Sequence, residues 1–131
     1  MILKKTPKEI AIMREGGHML AQIMHELIPQ IKPGVSTGQL DKIAEQKIRK
    51  AGALPAFLNY QGFPRVMCTS VNEEVVHAIP SDKKILKEGD IVTLDLGLIH
   101  RKYYLDMART VPVGEIDPKT RNLMETAKAA L

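Results

Sequence analysis

Two aspartates, Asp95 and Asp106, carry the clearest chemical signal in this chain. They stand in a stretch that reads as two β-strands, Ile91 to Ile99 and Lys102 to Val111, with a tight basic turn at His100-Arg101. Both strands are rich in β-branched and aliphatic residues. Antiparallel pairing about that turn sets Leu98 opposite Tyr103, Leu96 opposite Leu105 and Asp95 opposite Asp106. Alternation then gathers Ile91, Thr93, Asp95 and Gly97 with Tyr104, Asp106, Ala108 and Thr110 on one face. The other face holds Val92, Leu94, Leu96 and Leu98 with Tyr103, Leu105, Met107 and Val111, and is a core face. Like charges directly opposed across strands repel. Such a pair is explained by a cation between the two groups, by a proton shared in an acid–base dyad, or by a different register with both groups solvated. The small neighbours favour the metal site, because they leave room for ions and substrate.

Other residues with possible chemistry lie upstream. Phe57, Tyr60 and Phe63 recur at a spacing of three between Pro55 and Pro64. They form either a hydrophobic cluster beneath a loop or the apolar wall of a side-chain pocket. His77 stands near the end of a short expected strand, Val75 to Ala78, between this loop and the carboxylates. That position suits a residue that orients a ligand or moves a proton. Cys68, on the expected strand Val66 to Val71, is better read as a small buried thiol than as a nucleophile, since no Cys-His signature accompanies it.

The elements that must position these groups are legible in part. Thr6-Pro7-Lys8-Glu9 opens a first helix with a cap, a proline in the first turn and a capping box. Ile10, Met13, Leu20, Ile23, Met24, Leu27 and Ile31 follow at helical spacing, and Gly16-Gly17 allows a neighbour to come close. Its methionines are read as packing, and His18 and His25 as surface residues. Lys32-Pro33-Gly34 stops that helix. Ser36 or Thr37 caps the next, which points Leu40, Ile43, Ala44, Ile48 and Ala51 inward and ends at Gly52. Both helices read as scaffold. A last helix starts at Asp117-Pro118 and carries Leu123, Met124, Ala127 and Leu131.

Composition narrows the function class. At 131 residues, 44% hydrophobic and 26% charged, the chain suits one globular domain. The net charge of +4 is spread along the length, and two Phe and three Tyr offer little stacking surface, so a nucleic-acid footprint is not indicated. One cysteine excludes a disulfide within the chain and fits a reducing compartment. The start, Met1-Ile2-Leu3-Lys4-Lys5, has no signal-peptide core, and no apolar run approaches spanning length. A cytoplasmic protein without a membrane partner is expected.

Three segments together resemble a known family: Ser70-Val71-Asn72-Glu73-Glu74-Val75-Val76-His77-Ala78-Ile79-Pro80, then Glu88-Gly89-Asp90-Ile91-Val92-Thr93-Leu94-Asp95, then Asp106-Met107-Ala108-Arg109-Thr110. With Thr6-Pro7-Lys8-Glu9-Ile10 and Lys32-Pro33-Gly34-Val35-Ser36-Thr37, they are similar, end to end and in order, to the type I methionine aminopeptidases. The resemblance implies an α+β fold, half of a pita-bread fold, with an antiparallel sheet and helices on one face. It implies a cofactor of two divalent metal ions, Co, Mn, Fe or Zn, with Asp95 a ligand of one ion and Asp106 bridging both. It implies that His77 contacts substrate near the scissile peptide, and that Phe57, Tyr60, Phe63 and Cys68 line a methionine pocket. Phe57 departs from the Cys common in bacterial members, so the pocket is expected to differ in shape. Asn72 matches a position near a monovalent-ion site.

The family's remaining ligands, one His and two Glu, fall in a second half that has no counterpart here. Residues 1–131 are therefore expected to form one domain, the N-terminal half of such an enzyme, with an incomplete ligand set and weak or absent activity alone. The implied reaction removes the initiator methionine from nascent polypeptides. Nascent N-termini, the ribosome and a second copy of the half-domain are the expected partners. A non-catalytic pita-bread binding protein and a prolidase-type X-Pro peptidase are the alternatives. Retention of both aspartates argues against the first. The chain's direct start with the family's first helices argues against the second.

Overall fold

The computed structural model describes residues 4–131, so the expectations that fall on Met1, Ile2 and Leu3 lie outside the described residues. Thr6 caps helix α1 (Pro7–Leu27) with the full capping box: its hydroxyl accepts from the Glu9 N–H, and the Glu9 carboxylate accepts from the Thr6 N–H at 2.7 Å. The helix stops at Leu27, before the expected Lys32-Pro33-Gly34, and a short 3₁₀ turn (Ile28–Gln30) carries the chain on to buried Ile31. Ser36, with Gln39 as its reciprocal partner, caps helix α2 (Thr37–Lys50). Gly52 follows in the left-handed region at φ 75°, where a helix ends most easily. Ala51, expected inward, is exposed because it already lies past the last helical turn.

A four-stranded antiparallel sheet occupies the rest: β1 (Leu54–Pro55), β2 (Met67–Val71), β3 (Ile91–His100) and β4 (Tyr103–Pro112). Strand β3 is central. β4 pairs along its whole length, while β2 and β1 pair in tandem along its other edge. Helices α1 and α2 cover one face, packing Leu20, Ile23, Met24, Leu27, Leu40, Ala44 and Ile48 onto Val92, Leu94, Leu96 and Leu98. Gly16 lets α1 come close to the sheet: a Cβ there would come within 2.7 Å of Leu105 Cδ2 and 3.1 Å of His100 Cβ. Gly17, its neighbour, faces open space. Helix α3 (Pro118–Ala129), capped by Asp117, flanks the opposite face and buries no residue.

The hairpin turn lies one residue later than expected. Arg101 and Lys102 form it, at φ 46° and 73°, the positive pair that a two-residue type I′ turn requires. No glycine marks this turn; tertiary contacts hold it. Glu15 of α1 lies 3.2 Å from the Arg101 guanidinium and 3.3 Å from His100 Nε2. The register therefore moves by two: Leu98 faces Leu105, Gly97 faces Asp106 and Asp95 faces Ala108. A shift of two leaves every side chain on its expected face.

The strand expected over Val75 to Ala78 is absent. His77 adopts φ 58°, which breaks the extended run, and Val75 and Val76 are exposed. This segment is a loop, joined to β2 by the Thr69 N–H donating to the Ala78 carbonyl at 3.0 Å.

Candidate metal and substrate site

The face of the sheet turned away from α1 and α2 carries the two carboxylates. Because Asp95 faces Ala108 and Asp106 faces Gly97, the aspartates are diagonal rather than direct neighbours. Diagonal pairs stand roughly 7–8 Å apart at Cα and still let longer side chains meet. Here they do meet: the Asp95 carboxyl is pushed up to about 6 by its burial, by the Asp106 charge and by a hydrogen bond with Asp106, against the pull of nearby His77. Each aspartate has a minimal residue opposite it: Ala108 leaves the surface above Asp95 uncrowded, while the place a Gly97 side chain would take is filled by Phe57 and Ala56 of the aromatic loop. The direct opposition expected from the sequence is therefore corrected to a diagonal one, because the turn falls one residue later; the two carboxylates still share one face.

Strand β2 supplies the next member. Cys68 faces Asp95 across the β2–β3 ladder and is buried. Burial first, then the charges of Asp95, Asp106 and Asp41, push its thiol up to about 11. The thiol is buried, as the sequence suggests, and a value so raised keeps it neutral in the wall of the cleft.

The aromatic loop closes over this floor. The Tyr60 N–H donates to the Phe57 carbonyl at 2.9 Å, and the Asn59 N–H to the Phe63 carbonyl at 2.8 Å, curling the segment on itself. Asn59 and Gln61 sit at positive φ, 64° and 48°, a conformation the curl imposes on non-glycine residues. Phe57, Tyr60 and Phe63 thereby line a cleft of about 550 Å³ that also reaches Cys68, Asp95 and Asp106. Of the two readings left open by their spacing, the pocket wall is the one the fold builds. Tyr60 remains 65% exposed at the rim, with room for a ligand against its ring.

His77 lines the same cleft, together with Ile79. Its loop is tied at both ends. At one, the Val71 N–H donates to the Glu74 carboxylate at 2.9 Å, and Glu74 pairs with the Lys84 ammonium. At the other, Thr37 exchanges hydrogen bonds with Ser81, its hydroxyl donating to the carbonyl at 3.1 Å and accepting from the N–H at 2.9 Å. The fold thus brings Phe57, Tyr60, Phe63, Cys68, His77, Asp95 and Asp106 to one cleft.

Asn72 stands apart from it. Its amide donates to Asp90 at 2.8 Å and its side-chain oxygen accepts from the Ile91 N–H at 3.0 Å, so it locks the loop onto the start of β3. Asp41 is a further structural carboxylate beyond those the sequence singles out. It is 4% exposed on α2 and accepts from the backbone of Val66 at 2.9 Å and Met67 at 3.2 Å, fixing where β2 begins. Burial raises its carboxyl, with those two N–H groups and Arg65 opposing. A signal existed, since Asp41 falls in the inward stripe with Ala44 and Ile48. Gly97, a small neighbour of the pair in the sequence, owes its place to a contact between distant segments, with Phe57 and Ala56.

As a place for a metal, the pair offers hard oxygen donors held together against their own repulsion, with open space above them. That suits a divalent ion. It is part of a coordination sphere: among the described residues no group of three or more His, Cys, Asp or Glu side chains is placed to hold an ion. Among the described residues no helix is long and apolar enough to cross a membrane.

Comparison with known proteins agrees with this fold. The family described as Metallopeptidase family M24 matches residues 11–131. Methionine aminopeptidase 1 of Bacillus subtilis (strain 168) is 47% identical over 131 residues, all of this chain and 52% of that protein. The crystal structure of methionine aminopeptidase from Rickettsia prowazekii superposes with a TM-score of 0.96 at 38% identity, over 99% of this chain and 52% of that one. That from Thermotoga maritima gives 0.96 at 37% identity, over 100% and 53%. The sheet and helices match half of the pita-bread fold of these enzymes, and the chain spans about half the length of the curated relatives it matches.

Proposed function

The chain belongs to metallopeptidase family M24, and from that premise we propose that it works in the metal-dependent removal of N-terminal methionine from newly made polypeptides. The observation that carries this reading is the pairing of Asp95 with Asp106 on the floor of a cleft whose other wall is Phe57, Tyr60 and Phe63. A peptidase of this kind needs those two things side by side, anionic ligands at the reacting centre and an apolar recess for the side chain it recognises.

We assign Asp95 and Asp106 as ligands of two divalent ions drawn from Mn, Fe, Co and Zn, with the remaining ligands supplied by a region equivalent to the other half of the relatives. When bound, such ions supply Lewis-acid polarisation of the scissile carbonyl and a more acidic hydrolytic water. The chain's own residues do the rest. The aromatic wall takes the methionine side chain, to which a thioether is well suited. Cys68, held neutral, adds soft apolar surface beside Asp95. His77, at the mouth of the cleft, hydrogen-bonds substrate near the scissile peptide. Asn72, committed to Asp90 and Ile91, shapes the loop beneath it and lies near the monovalent-ion position of the family. The substrates are N-termini emerging from the ribosome in the cytoplasm.

The test is release of free methionine from Met-Ala-Ser in added Mn²⁺ or Co²⁺. It is run on the 131-residue chain and on the same chain joined to the second half of a relative. Alone, the chain is expected to bind Mn²⁺ weakly and turn over negligibly. Joined, it is expected to release methionine in a chelator-sensitive way, and Asp106→Ala is expected to abolish this. Near-normal activity of Asp106→Ala, or cleavage confined to Xaa-Pro bonds, would overturn the reading.

A further inference from the structure

Gly97 lies inside β3, where its backbone needs no glycine: it is not among the residues at positive φ, and it is paired on both sides of the strand. A glycine in a strand interior weakens the strand and marks a place where something approaches closely. Here the approach comes from the aromatic loop. A Cβ built on Gly97 would lie 2.8 Å from Phe57 Cε1, 3.0 Å from the Leu105 carbonyl oxygen and 3.1 Å from Ala56 Cβ. Real Cβ atoms do not come that close to a ring carbon, so any side chain at this position must displace a neighbour.

Which neighbour gives way is decided by how each is held. The Leu105 carbonyl belongs to β4, whose ladder with β3 runs its full length. Ala56 is tethered by its own N–H, which donates to the Gly97 carbonyl at 3.0 Å. The Phe57 ring has no such tie; it is the free end of a side chain and lines the cleft. The ring is therefore the neighbour that gives way, and it is a wall of the cleft. In register Gly97 faces Asp106, so the ring rests beside the carboxylate pair.

We propose that Gly97 is a specificity-determining residue: by having no side chain it seats the Phe57 ring against the sheet, and the seated ring sets the depth of the apolar pocket beside Asp106. This rests on the reading above, in which that pocket receives the first side chain of the substrate. The pocket takes an unbranched side chain of methionine size when the ring is seated. It narrows when residue 97 gains a methyl group, and deepens when the ring is removed.

The experiment is an NMR titration, without added metal, of the ¹⁵N-labelled chain joined to the second half of a relative, with methionine amide and with phenylalanine amide. Gly97→Ala is expected to weaken methionine amide about tenfold, the scale on which one methylene-sized change alters an apolar pocket, and Phe57→Ala in the same chain to recover most of that loss. Phe57→Ala alone is expected to move the preference toward phenylalanine amide roughly fivefold. Should Gly97→Ala fail to fold, Phe57→Ala still decides, since it opens the same space from the other side. Wild-type chain that binds methionine amide, with affinity and preference unmoved in the folded variants, overturns this proposal alone. Wild-type chain that binds neither amide overturns the methionine-pocket reading and this proposal with it.

Discussion

On one side of β3, Val92, Leu94, Leu96 and Leu98 are completely buried beneath α1 and α2; on the other, Thr93 and Asp95 share a more open surface with Asp106, Ala108 and Thr110 of β4, and only Gly97 is covered, by the aromatic loop. One backbone ladder carries both. The helices repeat the contrast. α1 and α3 each begin with a capping side chain and a proline in the first turn, yet α1 buries Gly16, Leu20, Ile23, Met24 and Leu27 while α3 buries nothing. Local signals are enough to start a helix, but its burial depends on which face of the sheet it meets. The covered face supplies stability. The open face keeps two repelling carboxylates together because the ladder, stabilised from behind, fixes the strands that carry them.

That division sets how each face answers to substitution. The largest effect is expected in the covered face: Leu96→Ala should destabilise by about 3 kcal/mol, the usual cost of such a cavity, read from denaturant unfolding. A loss below about 1 kcal/mol would mean that this face is not the core. At the helix–sheet contact, Gly16→Ala should cost about 1–2 kcal/mol through collision with Leu105 and His100, whereas Gly17→Ala should stabilise by about 0.5–1 kcal/mol through helix propensity. Equal effects from the two glycines would remove the close approach of α1.

The open face predicts the reverse sign. The Asp95 carboxyl is raised to about 6 in the folded chain, against an ordinary 3.8, so the native state holds that proton more tightly than the unfolded state. Below the unfolded value the group costs nothing; as pH rises through the folded value it ionises beside Asp106 and destabilises the fold. In EDTA, Asp95→Asn should therefore be more stable than the parent at pH 8, by on the order of 1 kcal/mol after screening at a half-buried site, and equal to it near pH 3.5. Urea midpoints at the two pH values give the comparison. The smallest effect belongs to α3: Leu123→Ser, at a 63% exposed position, should change stability by less than about 0.5 kcal/mol in the monomer. A larger, concentration-dependent effect in sedimentation would show a second copy covering the open face.

Much of this was legible because the relevant signals are local or periodic. Thr6, Glu9, Ser36 and Asp117 announce their helices through caps, which need only neighbours in sequence. Alternation along β3 and β4 assigned each residue to its face, and the assignment survived a register wrong by two because the side-chain period is two. The turn itself was misplaced, since Arg101 and Lys102 are ordinary residues pinned there by Glu15 from another element. Val75-Val76 looked like a strand by composition, but the left-handed His77 ended any extended run and left both valines in solvent.

By itself, then, the sequence determined the helices, the two faces of the hairpin, and the residue types gathered at Asp95, Asp106, His77 and the aromatic loop, because propensity, capping and alternation act over a few residues. Only the tertiary structure decided that Asp95 and Asp106 meet on a diagonal, that Asp41 fixes the start of β2, and that Phe57 rests on Gly97. Those relations join segments distant in the chain. Packing and hydrogen bonding across space select them, and no local pattern encodes a distance between elements that have yet to meet.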